Sequence, residues 1–557
     1  MMRRFALVAV LAAAPAFGAA ASDNNPAVER AWLNGQVWTG DPAHPWAEAL
    51  AARGDRIVVV GTTVEVRKTL SPKAEVVDLH GRFVAPGFND AHIHFLVQER
   101  AELDDVTSET EIAARLRAWA AAHPESPWIL GRGWGYGAFG ALGPRRAVLD
   151  AVVPDRPVFL NDRDGHSALV NSKALALAGI TRATRDPVGG VVVKDASGEP
   201  TGLLKESAGE LAGRLVPEPS TEERYQTLLH LLGRAASYGL TSVQNASFDE
   251  ADWPAYERVA AEGRLTLRFY WSLPLVKDPS PEVLARYRER RDRYRGPLVK
   301  FGAIKGFVDG VIDARTAAMF EPYTSGGTGI ANYTPEELNR AVAIYDREGF
   351  QVRLHAIGDR AIHMALDAYE NAAKANGTTG RRHRVEHVEL PLPADLPRFK
   401  ALGVIASTQA MFANPDQTTL ENFAVVLGPE RASRADAFQR FDDAGAVQAF
   451  GSDWPVFTME VLRGIHCAVT RTTAEGTPAG GWYPENRISA EAALSHFTRD
   501  AAYASFDEKD KGTLAVGKLA DFVVLSEDIV RQPPDHILKA RVLATVLGGA
   551  PTFKAKE

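Results

Sequence analysis

Eight short apolar runs of β type, helix-like stretches between most of them, and strand-like sequence at both chain ends predict an α/β fold. Its centre is a (β/α)8 TIM-type barrel. A small β-sandwich drawn from both ends of the chain and an insertion after the first barrel strand complete it. At 557 residues the chain exceeds one small core, so more than one structural unit is expected.

Taken in order, Met1-Met2-Arg3-Arg4 is a basic start, Phe5 to Phe17 is apolar, and Ala19-Ala20-Ala21 offers a small-x-small cleavage pattern. Residues 1–21 thus match a bacterial secretory signal, the apolar run being shorter than the roughly 20 residues of a membrane span. The mature chain is expected to begin near Ser22 and to be periplasmic or secreted. No other segment reads as transmembrane. From Ala31 to Val84 short strands alternate with turns, the first half of the sandwich (22–84). Phe83–Pro86 is expected as the first barrel strand, opening a barrel domain over 85–505. Most of the stretch from about 96 to 219 breaks the β-then-α alternation and reads as an insertion. The later strands are expected at Leu240–Asn245, Leu265–Leu273, Val299–Val308, Gln351–His355, Arg384–His387, Val404–Ser407 and Val447–Phe450, with helices at Pro335–Glu348 and Asp359–Ala373. Residues 506–557 return to strand-like texture and supply the second half of the sandwich.

Composition excludes several classes. Apolar residues make up 45% and charged residues 24%, as in globular proteins. A formal charge of −7 gives no basic field for nucleic acid. The single cysteine, Cys467, rules out an intramolecular disulfide and a thiolate metal cluster, and a buried structural thiol is expected. Any metal must be held by His, Asp, Glu or a modified Lys.

Pro86-Gly87-Phe88-Asn89-Asp90-Ala91-His92-Ile93-His94 places two histidines two residues apart. On a strand these side chains point the same way, so His92 and His94 can present two imidazoles to one point. Ligand-type residues then recur at later strand ends: Lys305, His355, His387 and Asp453. A closed barrel would bring all six to its C-terminal rim, the face where such barrels carry their sites.

Pro86–His94, His355-Ala356-Ile357-Gly358-Asp359, Glu386-His387 and Gly451-Ser452-Asp453-Trp454-Pro455 resemble the metal motifs of the amidohydrolase superfamily. The branch containing N-substituted formamide deformylase is similar over essentially the whole mature chain. The resemblance implies two divalent metal ions, zinc foremost. His92 and His94 would bind one, His355 and His387 the other. Asp453 would ligate the first and serve as general acid and base. Lys305 would be carboxylated on its amine and bridge the two, since an ammonium has no lone pair to offer. An unmodified Lys305 paired with Asp309 is the alternative. The implied reaction is hydrolysis of an amide, N-formyl or N-acyl C–N bond of a small molecule. Two cations ~3.5–4 Å apart would acidify a bridging water from about 15.7 toward about 7. Asp453 would pass its proton to the leaving nitrogen.

Trp134 and His166 lie in insertion segments of Gly, aromatic and polar residues that suit a loop over a pocket. They are candidate substrate contacts, against packing and hydrogen-bonding roles. Asp309, Arg315 and Trp454 are further pocket candidates. Ester, lactone or deamination chemistry on the same barrel is the alternative activity. Deaminases of the superfamily usually place a Glu soon after the fifth-strand histidine, and none follows His355 here. A non-catalytic binding or regulatory protein is the rival class, but it would be expected to lose ligands, and none of the six is missing.

Overall fold

The computed structural model describes residues 29–95, 100–103, 106–140 and 142–556; the leader read over residues 1–21 lies outside the described residues. The central sheet has eight strands in chain order: β1 (Phe88–Ile93), β2 (Leu240–Asn245), β3 (Arg268–Pro274), β4 (Val299–Phe307), β5 (Gln351–Ala356), β6 (Arg384–His387), β7 (Ile405–Gln409) and β8 (Gln448–Gly451). Each successive pair is parallel.

The barrel is drawn together between β8 and β1 at the rim. Asp453 N donates to His92 O and His94 N to Trp454 O, both at 2.7 Å. The buried Asp90 carboxylate accepts from His92 N at 3.1 Å and Ser452 N at 3.0 Å. This seam requires Gly451. A Cβ there would lie 2.4 Å from His92 N, against backbone that cannot move aside.

Phe83–Pro86, expected as the first barrel strand, belongs instead to a sheet of the chain ends. It runs parallel to Gln36–Trp38 and antiparallel to Phe522–Leu525. The barrel begins after Gly87, whose N–H donates to Asp521 O at 3.0 Å. Both runs are wholly buried, but Phe88–Ile93 turns Asn89, Asp90 and His92 into the barrel, whereas the apolar Phe83–Pro86 packs in the terminal sheet.

Helices between strands begin where capping chemistry allows. In α1 (Thr221–Ser237) Ser220 and Glu223 form a reciprocal capping box, as do Thr334 and Glu337 in α2 (Pro335–Arg347). The next helix, α3 (Asp359–Asn376), stops at Gly377, whose φ of +63° suits glycine. Leu338, Val342 and Tyr345 of α2 and Ile362, Leu366 and Tyr369 of α3 are buried in the same core as Val352 and Leu354 of β5. Each such side chain contributes roughly 1.5–3 kcal/mol of burial.

Both ends of the chain feed two further sheets. One has four strands, from Glu29 to Asp78; the other has six, joining Gln36–Trp38, Trp46–Ala47 and Phe83–Pro86 to three C-terminal strands. Trp32, Leu50, Val37, Val84, Phe522 and Val546 form a common core between them. The insertion after β1 carries its own six-stranded mixed sheet, from Ala101 to Glu206. Its loops at 162–168 and 206–214 help to line a cavity over the barrel mouth. Among the described residues no helix is long and apolar enough to cross a membrane.

Candidate metal centre and active site

The cavity at the C-terminal ends of the strands has a volume of about 970 Å³, and His94, Lys305, His355, His387 and Asp453 all line it. His92 lies beneath them, fully buried on β1. Asp453 is the hub. Its Oδ1 is 3.3 Å from His92 Nε2 and 3.2 Å from His94 Nε2, and its Oδ2 is 3.7 Å from His387 Nδ1. The His387 ring centre lies 4.7 Å from that of His92 and 4.5 Å from that of His355. Ligand atoms of His92, His387 and Asp453 fall within 4.8 Å of one another. His94 and His355 flank this set. His387 (φ +74°) and Asp453 (φ +55°) both have left-handed backbone, a conformation that costs free energy and clusters at functional sites.

The partners of the imidazoles fix their tautomers. His92 Nδ1 meets the Glu386 carboxylate. His355 Nε2 donates to Gly310 O at 3.1 Å. His387 Nδ1 donates to Gln409 Oε1 at 3.0 Å. Since a carboxylate or carbonyl oxygen only accepts, the proton sits on the named nitrogen of each ring and the other nitrogen keeps its lone pair. Burial pushes all three imidazoles well below their usual range, so they are neutral.

Among the described residues His92 Nε2, Asp453 Oδ1 and Lys305 Nζ are buried without a hydrogen bond. Unpaired buried polar atoms are costly. Neutral imidazoles and a carboxylate are what a borderline divalent cation takes, so these residues fit it. Burial alone would raise the Asp453 carboxyl, but His387, His94 with its Nε2 3.2 Å away, and Lys305 outweigh it and hold it below its ordinary range. Burial brings the Lys305 ammonium down to about 8. The alternative pairing of Lys305 with Asp309 is not seen. The Asp309 carboxylate accepts from the backbone N–H of Ala318, Ile357 and Gly358 at 2.9–3.1 Å.

Of the five candidate substrate contacts, His166 and Asp309 line the cavity. His166 Nδ1 pairs with Glu206 Oε2 at 2.9 Å, and its ring centre lies 5.3 Å from that of His355. Burial disfavours the imidazolium, but Glu206, Asp162 and Asp164 together outweigh it and carry the imidazole up to about 9. The other three do not line the cavity. Trp134 is packed inside the insertion, its indole donating to Leu160 O at 3.1 Å. Arg315 is exposed. Trp454 packs on Phe95 and beneath Arg132. Sequence reasoning assigned no role to Gln409 and Arg353, nor to Glu386 beyond its place in the Glu386-His387 motif. One signal was available: in Arg384-Val385-Glu386 charged residues alternate with valine on a buried strand, which marks a polar barrel interior.

This constellation at the mouth of such a barrel defines a metal-dependent hydrolase. The chain belongs to the amidohydrolase family, whose model matches residues 75–553. It is 34% identical to Protein LONG AFTER FAR-RED 3 of Arabidopsis thaliana, over 93% of this chain and 90% of that one. It is 29% identical to N-substituted formamide deformylase of Arthrobacter pascens, over 93% and 97%. Among solved structures, an uncharacterized metal-dependent hydrolase from Pyrococcus horikoshii OT3 superposes with a TM-score of 0.72 at 26% identity, over 91% of this chain and 99% of that one.

Proposed function

We propose that this protein hydrolyses an amide C–N bond, N-formyl or N-acyl, of a small molecule, using two divalent metal ions, zinc foremost. The observation that carries the reading is the convergence of His92, His94, His355, His387, Lys305 and Asp453 on one barrel mouth, with three buried donor atoms left unpartnered. The relative named N-substituted formamide deformylase supports the choice of bond.

His92, His94 and Asp453 would hold one ion and His355 and His387 the other, with Lys305 between them as a carbamate. Forming that carbamate needs a neutral amine and carbon dioxide and releases one proton. Burial favours it by making the neutral amine of Lys305 accessible near neutral pH. When bound, the ions supply an acidified water and an electrophile for the carbonyl oxygen. Asp453 does the proton work: its carboxylate, charged and 3.2 Å from His94 Nε2, accepts a proton and returns it to the leaving nitrogen. Glu386 and Gln409 orient the imidazoles, and the insertion covers the cavity.

The test is Asp453→Asn. Turnover of an N-formyl amine should fall by about 100-fold or more while metal stays bound; unchanged turnover overturns the assignment. Metal analysis of the purified protein should give about two equivalents per chain. We also propose export. N-terminal sequencing of protein from the producing cell's periplasm or medium should begin near Ser22; a retained Met1 overturns it.

A further inference from the structure

We propose that His166 is a substrate-contacting residue that offers its Nε2 to the scissile amide, and that Glu206 is the residue that positions it. The proposal rests on the hydrolase reading above and names the part that the insertion plays in it.

Among the described residues four imidazoles line the cavity: His94, His166, His355 and His387. Three are assigned to metal ions, and His166 is the fourth. It lies in the insertion, between the strands Val158–Asp162 and Ser167–Val170. Glu206 ends the strand Pro200–Glu206, in which Lys205 pairs with Ser167, so His166 and Glu206 are neighbours across the sheet. They are tied twice. Glu206 N donates to His166 O at 2.7 Å, and Glu206 Oε2 lies 2.9 Å from His166 Nδ1. With Nδ1 held by a carboxylate, Nε2 is the nitrogen left for another partner. It has none among the described residues, and the side chain stays 14% exposed, in the wall of the cavity. A carboxylate on one ring nitrogen, with the other turned to substrate, is how an imidazole is fixed for work on a reacting group.

The pair is registered to the proposed metal centre. The His166 ring centre lies 5.3 Å from that of His355, so an amide that reaches His355 meets the His166 ring beside it. Gly310 links the two. Its carbonyl oxygen accepts from His355 Nε2 at 3.1 Å, and its missing side chain makes room for the carboxylate. A Cβ there would lie 2.7 Å from Glu206 Oε1 and 2.2 Å from Thr316 Oγ1. Glu206 has φ +51° and ψ −131°, a conformation that costs a residue other than glycine about 1–3 kcal/mol. Both partners belong to the insertion, so their pairing does not itself fasten the insertion to the barrel. Positioning a ring over the cavity accounts for the strain.

The test uses N-formylpentylamine as substrate and pentylurea, an amide isostere that resists hydrolysis, as binding probe. His166→Phe keeps a ring beside His355 and removes both nitrogens. With metal content retained, kcat/KM should fall by about 100-fold. Affinity for pentylurea, read by calorimetry, should fall by about tenfold. His166→Asn, whose amide is too short to replace Nε2, gives the same two readouts should His166→Phe not fold. Glu206→Gln still accepts from Nδ1 and should recover about tenfold of the activity lost in Glu206→Ala. Either quantity at its wild-type value in the His166 variants overturns the contact, as does metal lost in step with activity. Equal losses in Glu206→Gln and Glu206→Ala overturn the positioning role. Pentylurea binding that depends on His166, with no hydrolysis of any N-formyl or N-acyl compound, sinks the hydrolase reading and sustains the contact.

Discussion

Glu386 faces Nδ1 of His92 inside the barrel, and both side chains are fully buried. The carboxylate is held in turn by Arg353 at 2.8 Å and Arg384 at 3.0 Å. Burial would raise Glu386, but the two guanidiniums and His92 keep it well below the usual range. One anion therefore faces two buried guanidiniums through Oε1 and, through Oε2, fixes which nitrogen of His92 faces Asp453. Fold stability and ligand geometry are carried by one residue.

Glu386→Gln should accordingly damage both. Removing one charge from a buried network leaves two guanidiniums uncompensated, a cost of about 3–5 kcal/mol. The amide also no longer specifies the His92 tautomer, so metal affinity should fall by about 10- to 100-fold. Urea unfolding and a metal titration measure the two effects. A variant with wild-type metal affinity would show that Glu386 serves the barrel alone.

Gln409→Leu separates the roles. Its Oε1 receives His387 Nδ1 at 3.0 Å, and its own amide reaches Ser407 O at 3.4 Å, so it holds no buried charge. We expect metal affinity to drop by about tenfold or more while the unfolding midpoint shifts far less than in Glu386→Gln. Competition with a chelator gives the affinity. Equal losses in both properties would contradict a specific orienting role.

The sequence reveals those parts of the fold where chemistry and periodicity coincide. Leu240–Asn245 and Arg384–His387 form strands at the expected bounds because β-rich runs are framed by turn residues. The ligand motifs are legible because strand alternation sets His92 and His94 two apart. What is not legible depends on three-dimensional choice. Phe83–Pro86 and Phe88–Ile93 are equally buried, and pairing with Phe522–Leu525 assigns the first to the terminal sheet. Trp134 carries both an apolar body and a donor, and the insertion's own core claimed both.

Gly451→Ala tests the closing seam. The added carbon would meet His92 N at 2.4 Å, its Cβ at 2.7 Å and its O at 2.8 Å, so β8 must shift away from β1. That shift strains the bonds that join Asp453 and Trp454 to His92 and His94. A loss of about 3 kcal/mol or more is expected, beyond the usual cost of one extra methyl group. Metal affinity should fall with it, since the displaced strand carries Asp453. Denaturant unfolding with and without metal checks both; a wild-type midpoint would mean that the seam is more yielding than its geometry.

A last prediction concerns pH and lies away from the ligands. His496 is buried with Nδ1 at 2.8 Å from Asp500 and Nε2 at 3.3 Å from Asp442. Burial disfavours the imidazolium, but the two carboxylates outweigh it and raise His496 from 6.5 to about 9. A folded-state value above the unfolded one means that the folded protein holds the proton more tightly. The resulting stabilisation is fully present below about pH 6.5 and is lost as pH rises through about 9, with an upper bound of about 3 kcal/mol. Wild-type urea midpoints should therefore decline over that window. His496→Gln, which cannot take up the proton, should be less stable near pH 6 and show a flatter profile. If both proteins decline in parallel between pH 6.5 and 9, the alkaline loss originates elsewhere and His496 is neutral in the folded state.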